Sequence, residues 1–194
     1  MTVENPLSVL VYGPPSAGKT TFGVSAFWDW KLNKPLRDGR WLQFGREDNP
    51  RLSVPPEMVK RFVAADLGNS WVKDFDDYSI AALKKAKMGG GPEVFVIDGF
   101  SEISLLHEAT SKLEGFDLWG DWRKEFYAIM QRLNPRELKA HVVATARVME
   151  RKKAVKSKSS RASDGDPEFV NYDYYPLVQG SARLSLPAYF NYVL

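Results

Sequence analysis

Residues 9–20 read VLVYGPPSAGKT, an apolar strand pattern that leads into the spacing G-x-x-x-x-G-K-T. This is the phosphate-binding loop motif, in the strand–loop–helix context that the motif requires. Gly13 and Gly18 let the backbone bend around an anion without an obstructing side chain. Lys19 can bring a positive charge to the β- and γ-phosphates of a nucleotide, and the hydroxyl of Thr20 can bind Mg²⁺.

The backbone of this loop supplies the other half of the predicted phosphate site. In such motifs the N–H groups of the loop and of the helix start point at the β-phosphate. Pro14 and Pro15 have no N–H, so we expect the amides that hold the phosphate to begin at Ser16. The predicted nucleotide-binding residues are Gly13, Ser16, Ala17, Gly18, Lys19, Thr20 and Thr21.

The composition is that of an ordinary globular chain, with 44% apolar and 26% charged residues among 194. This length suits one domain, which we expect to span residues 1–194. The chain has no cysteine and two histidines, which excludes thiolate metal sites and argues against a histidine cluster. It shows no signal-peptide pattern and no run of roughly 18 apolar residues, so we expect a cytoplasmic protein that does not contact membranes.

Strand and helix patterns alternate along the chain. Such alternation favours right-handed βαβ units, and therefore an α/β fold with a mainly parallel sheet flanked by helices. The chain ends inside an apolar strand pattern, which is compatible with a domain truncated at its carboxyl end, and the sequence leaves open whether the protein continues past Leu194. The predicted strands are 7–12, 40–44, 61–65, 93–99, 141–146 and 189–194, and the predicted helices are 19–32, 70–87, 101–113 and 121–133.

An aspartate ends the buried strand at residues 93–99. In a protein with a phosphate-binding loop, an aspartate at this place holds a water of the bound Mg²⁺. Asp98 could instead cap the helix that starts near Ser101. The motif upstream favours the metal role, so Thr20 and Asp98 are the predicted metal residues.

Polar residues follow two other strands. Ligands of open α/β sheets lie outside the carboxyl ends of the strands, so the loop at residues 45–50, with Glu47 and Asp48, should border the nucleotide. Thr145 lies at the end of the strand at residues 141–146 and should reach the same edge. A solvated surface acid remains the alternative for Glu47.

The segment at residues 147–161 has a different character. It carries seven cations and one acid, a net charge of +6, whereas the rest of the chain sums to −3. Its serines and its lack of apolar periodicity predict a flexible loop, which we extend to residues 147–175. A solvated charged loop is one interpretation of this segment. Binding of a nucleic acid backbone is the other, since cations there would release condensed counterions.

The order of these features resembles the ATPase core of RecA-type proteins. A loop with its helix, a strand followed by Glu47, a strand ending at Asp98, a strand ending at Thr145 and a basic loop succeed one another, and Gly-Ser-Ala-Arg follows at residues 180–183. More particularly, residues 6–194 resemble the short phage-encoded, Sak-type single-strand annealing and recombination ATPases.

The resemblance implies a RecA-like P-loop NTPase that binds ATP and Mg²⁺, hydrolyses ATP and self-associates into rings or filaments. It implies that Glu47 activates the attacking water, with Asp48 as its substitute, and that Thr145 senses the γ-phosphate. It also implies that the basic loop binds single-stranded DNA, with residues 115–122 as a second DNA loop unless their aromatic side chains pack in the core. The implied DNA-binding residues are Arg147, Arg151, Lys152, Lys153, Lys156, Lys158 and Arg161.

Three departures from related ATPases bear on function. Gly99, rather than a glutamate, follows Asp98, which argues against helicases, terminases and other machines that use an Asp-Glu pair. About six residues precede the first predicted strand, so we expect no polymerisation helix there. A trans-acting finger is not identified, although Arg147 and Arg183 are candidates. A small-molecule or nucleotide kinase, and an ATPase accessory of DNA packaging or replication, remain the alternative functions.

Overall fold

The computed structural model describes residues 3–44, 54–62, 71–153, 171–176 and 185–194. Five α-helices and two short 3₁₀ helices, Pro56–Met58 and Leu186–Tyr189, accompany nine strands within these ranges. The strands are β1 Ser8–Gly13, β2 Trp28–Asp29, β3 Lys34–Pro35, β4 Gly39–Phe44, β5 Val59–Phe62, β6 Val94–Asp98, β7 His141–Lys153, β8 Asn171–Pro176 and β9 Tyr192–Val193. The helices are α1 Lys19–Val24, α2 Trp71–Lys87, α3 Phe100–Thr110, α4 Gly115–Arg132 and α5 Pro135–Leu138.

Six strands form a parallel sheet in the order β5-β4-β6-β7-β1-β9. The expected α/β class with a parallel sheet flanked by helices is therefore confirmed. Because the strands run in one direction, their carboxyl ends meet at one edge of the sheet. Strand β7 lies between β1 and β6, so it separates the strand of the phosphate-loop motif from the strand that ends in Asp98.

The sheet is buried on both faces, which explains the nearly continuous apolar runs of its strands. In β6, Val94 and Val96 pack with Phe27 on one face, whereas Phe95 and Ile97 pack on the other. The first face is covered by α1 and the turn after it. The second is covered by α2, α3 and α4, whose buried side chains include Phe75, Phe100, Trp122 and Phe126.

The helix expected at residues 19–32 is much shorter. Helix α1 ends at Val24, and β2 and β3 then form a small antiparallel hairpin. The carboxylate of Asp29 accepts hydrogen bonds from the N–H groups of Lys31 and Leu32, at 2.9 and 3.0 Å, which closes the turn of this hairpin. An aspartate that bonds the backbone two residues ahead is a turn signal, and it outweighs the apolar pattern here.

Helix α4 starts at Gly115 rather than at residue 121, so residues 115–122 are a helix and not a second DNA loop. The expectation that the aromatic residues of this segment pack in the core holds for Trp122, which is 2% exposed. It is wrong for Phe116, which is 95% exposed. Trp119 is also exposed, at 37%, so it does not pack in the core either.

The expected flexible loop at residues 147–175 is wrong at both of its ends. Strand β7 continues without a break to Lys153, and residues 148–153 pair with β8 in antiparallel register. Met149 lies opposite Tyr175, and Arg151 lies opposite Asp173. Three tyrosines of β8 favour strand structure, and each lies 20 or more residues along the chain from the residue that it pairs with.

Candidate nucleotide-binding site

The phosphate-loop motif forms an exposed turn at the carboxyl edge of the sheet, and residues 14–18 are all exposed. Ser16 and Gly18 have positive φ angles of 61° and 81°. The ammonium group of Lys19 donates hydrogen bonds to the carbonyl oxygens of Gly13 and Pro14, at 3.0 and 2.6 Å. These two bonds hold a positive charge inside the curve of the loop.

Asp98 lies beside this loop, and side chains from α1, β4 and β7 donate hydrogen bonds to its carboxylate. The hydroxyl of Thr20 donates a hydrogen bond to Oδ1 at 3.0 Å, and the hydroxyl of Thr145 donates another at 2.6 Å. The indole N–H of Trp41 donates to Oδ2 at 3.3 Å. The two predicted metal residues are therefore in direct contact.

The alternation of side chains along the strands brings these groups together. Val96 packs on the face that α1 covers, so Asp98, two residues further, points to the same side. The register that pairs Ile97 with Ala144 continues into Asp98 and Thr145, which are hydrogen-bonded neighbours.

Gly23 determines how closely α1 approaches the sheet. A Cβ atom at this position would lie 3.0 Å from Cγ1 of Val96 and 3.5 Å from Cγ2 of Thr145. A larger residue would therefore push α1 outward. Because Thr20 lies one turn earlier on the same short helix, its contact with Asp98 depends on this approach.

Asp98 does not cap the helix that follows it. The N-cap residue of α3 is Gly99, and no side chain makes a cap hydrogen bond there. Gly99 has a φ angle of 85°, and a Cβ atom would lie 2.8 Å from the carbonyl oxygen of Phe44. A glutamate at this position would be strained and would collide with the end of β4, so the fold has no room for an Asp-Glu pair.

Thr145 lies at the site but is engaged with Asp98. It is 2% exposed, and its oxygen accepts a hydrogen bond from the N–H of Gly99 at 3.1 Å while its hydroxyl hydrogen goes to Asp98. Thr145 therefore connects β7 to the carboxylate of Asp98 on β6 by a hydrogen bond.

Arg147 lies at the boundary between the site and the rest of β7. Its backbone is the register partner of Gly13, and its N–H donates to the hydroxyl oxygen of Ser101 at 2.9 Å. Its guanidinium forms an ion pair with Glu102 at 2.7 Å. Both partners belong to the first turn of α3, directly after Asp98 and Gly99.

Not every predicted site residue can be located. Thr21 is on α1 with an exposed side chain, and Ala17 donates its N–H to the carbonyl oxygen of Pro14 at 3.4 Å. Arg151, Lys152 and Lys153 are the last three residues of β7. Outside the described residues lie Glu47, Asp48, Lys156, Lys158, Arg161 and Arg183.

The oxygens that meet at this edge suit Mg²⁺, which prefers carboxylate and hydroxyl oxygens and shares its ligands with substrate phosphates. The residues fit Mg²⁺ because Thr20 and Asp98, on α1 and β6, bring two side-chain oxygens into contact directly beside the phosphate-loop motif.

Sequence reasoning missed Trp41 and Gly23. A tryptophan in a strand beside an aspartate-tipped strand is a usable signal, because a buried indole N–H normally finds an acceptor. The role of Gly23 depends on the distance between a helix and two strands, which no local pattern reports.

Comparison of the chain with models of known protein families and with curated protein sequences found no match. Within the described ranges, no helix combines the length and apolar character that crossing a membrane requires.

Proposed function

We propose that this chain is an ATP-binding and ATP-hydrolysing protein of the RecA-like class, acting on single-stranded DNA in recombination or strand annealing. The observation that carries the proposal is the convergence of the Lys19 loop, Thr20 and Asp98 at one edge of a parallel sheet. A cation-bearing turn beside a hydroxyl–carboxylate pair is the arrangement that a magnesium–triphosphate requires.

The order of the strands supports the RecA-like part of the proposal. The resemblance assigns the γ-phosphate sensor to Thr145, and β7 brings Thr145 to Asp98 between the loop strand β1 and the aspartate strand β6. A kinase would need an arginine-rich lid over its two substrates, and the lysine- and serine-rich composition of residues 147–161 lacks paired arginines. This composition and the place of Thr145 favour the ATPase over the kinase alternative.

Hydrolysis requires positioning and charge neutralisation more than covalent participation of the protein. Lys19 would neutralise charge on the transferred phosphate, and Thr20 with Asp98 would hold the Mg²⁺, which supplies further neutralisation when it is bound. The base would be Glu47, three residues beyond the end of β4. Strand β4 is the neighbour of β6, with Gln43 paired to Asp98, so a residue shortly after β4 starts from beside the metal residues. Gly99 has no space for a side chain, so the position directly after Asp98 cannot supply the base.

Single-stranded DNA binding is proposed for the basic segment after Thr145. Its first cations belong to the hairpin of β7 and β8, which is continuous with the strand at the nucleotide edge. Cations on a strand leading directly from the site offer the DNA a backbone contact with little sequence preference. Self-association into a ring or filament, which would complete the site with a finger from a neighbour, is part of this proposal.

The test is ATP hydrolysis with and without single-stranded DNA across a salt series. DNA-stimulated turnover that fades as salt rises supports the proposal, because released counterions make the DNA contact salt-dependent. Turnover that ignores DNA and instead requires a nucleoside or another acceptor would contradict it and favour the kinase. A chain that neither binds nor hydrolyses ATP would contradict both.

A further inference from the structure

We propose that Trp41 is a positioning residue for Asp98, and that its indole N–H sets the Mg²⁺ affinity of the nucleotide site. The inference rests on the proposed function, since it concerns the metal of the same site. It adds a residue outside the loop and the aspartate strand, contributed by β4. The contact between Trp41 Nε1 and Asp98 Oδ2, at 3.3 Å, carries it.

The strand register explains how this contact forms. Trp41 pairs with Val96 in the neighbouring strand, and both pack in the cluster on the α1 face of the sheet. The indole extends along the strand direction by two residues and reaches the carboxylate of Asp98. Trp41 is 3% exposed, so its N–H bonds a carboxylate oxygen away from bulk water, where such a bond is stronger.

The chemistry of the three donors around Asp98 is unequal. The hydroxyls of Thr20 and Thr145 can rotate, and they can accept as well as donate. An indole N–H can only donate, and the position of its ring is fixed by packing. Trp41 therefore holds Oδ2 in one place, which keeps Oδ1 directed at Thr20 when the hydroxyl of Thr20 turns to the metal.

Trp28 provides an internal comparison. It lies in the same cluster and is also 3% exposed, but its indole N–H has no hydrogen-bond partner among the residues that the structure describes. Two equally buried tryptophans on one face of the sheet thus differ in whether they bond the carboxylate. Because both tryptophans pack in the same cluster, a difference between variants at these two positions reports the hydrogen bond to Asp98 rather than the loss of packing.

The experiment compares Trp41→Phe with Trp28→Phe in the full chain. Each variant removes one indole from the cluster, and only the first removes a donor from Asp98. Binding of a fluorescent ATP analogue is measured in EDTA and then during a Mg²⁺ titration, with melting temperature as the measure of folding. We expect Trp41→Phe to raise the Mg²⁺ concentration for half-maximal effect about tenfold, as loss of an outer partner of a metal site does.

Affinity in EDTA should not change in Trp41→Phe, and Trp28→Phe should keep the Mg²⁺ dependence of the wild type. Equal Mg²⁺ dependence in both variants would overturn the inference and leave the proposed function intact. Absence of Mg²⁺-dependent nucleotide binding in the wild type would instead overturn the proposed function.

A second substitution covers the case in which Trp41→Phe does not fold. Incorporation of 3-benzothienylalanine at position 41 replaces the N–H by sulfur at nearly constant ring volume. The same rise in the Mg²⁺ requirement is expected, with a smaller loss of melting temperature than in Trp41→Phe because the ring volume is nearly kept. A folded protein with wild-type Mg²⁺ dependence would overturn the inference.

Discussion

The two halves of β7 differ in how their structure is determined. Residues 141–146 lie in the middle of the parallel sheet between β1 and β6, and every one of them except His141 is buried. Residues 148–153 leave that sheet and pair with β8. The first half is an apolar run whose own composition demands burial, whereas the second is a charged run that becomes a strand because a distant segment pairs with it.

The difference also separates the chemistry of the two halves. The inner half delivers Thr145 to Asp98, so its side chains are held by buried hydrogen bonds. The outer half carries cations and is itself one strand of the hairpin with β8. Its proposed role, binding the DNA backbone, requires only positive charge. We therefore expect changes in the inner half to act on nucleotide chemistry and on stability, and changes in the outer half to act on DNA binding.

The largest effect is expected from Lys19→Ala. This change removes the positive charge of the phosphate-loop motif, which follows β1, the strand paired with the inner half of β7. ATP hydrolysis should fall by about a hundredfold or more, because a charge aimed at the transferred phosphate is lost. Turnover and binding of a fluorescent ATP analogue measure the effect, with Lys34→Ala on the exposed β3 as the control. Wild-type turnover in Lys19→Ala would refute the phosphate-loop assignment.

Thr145→Val tests the inner half of β7 itself. The change preserves shape but leaves the N–H of Gly99 without its acceptor and removes a donor from Asp98, so unfolding should become easier by about 1–3 kcal/mol. ATP turnover should fall roughly tenfold, as it does when the partner of a metal-site carboxylate is removed. Thr145→Ser keeps the hydroxyl and should retain most turnover. Wild-type turnover in Thr145→Val, or a larger loss in Thr145→Ser than in Thr145→Val, would argue that the methyl group matters rather than the hydrogen bonds.

The outer half is tested by two matched pairs of neutralised lysines. Changing Lys152 and Lys153 to Gln removes two cations from the end of β7, and changing Lys156 and Lys158 to Gln removes two that follow it. Each pair should reduce the slope of log affinity for single-stranded DNA against log salt by about 1.4, with DNA-free ATP turnover unchanged. If neither pair alters the slope, this segment does not contact DNA.

The smallest effect is expected at the junction of the two halves. Glu102→Gln removes the ion partner of Arg147, and both side chains are partly exposed, so the free energy of unfolding should fall by only about 0.5 kcal/mol. Urea unfolding at low and high salt measures it, and the difference from wild type should shrink as salt screens the pair. A loss of several kcal/mol that persists at high salt would show that the two halves are coupled through this pair.

Much of the site was predictable because its signals are local. The spacing of residues 13–20, the aspartate at the tip of an apolar strand and the alternation of strands with helices each report a short-range steric or chemical requirement. In the structure, the hydrogen bond between Thr20 and Asp98 joins the loop helix to the aspartate strand. The turn after α1 also has a local signal, because Asp29 bonds the backbone two and three residues ahead, although the apolar pattern around it is that of a helix.

The sequence by itself determined the α/β class, the loop, and Asp98 at the end of its strand, because burial patterns and glycine positions act over a few residues. Tertiary structure alone decided the order of the strands, the approach of α1 over Gly23, and the strand pairing of residues 148–153 with residues 171–176. It also decided that Trp41 reaches Asp98. These features depend on which elements become neighbours in space, and neighbours far apart in the chain leave no periodic trace in either segment.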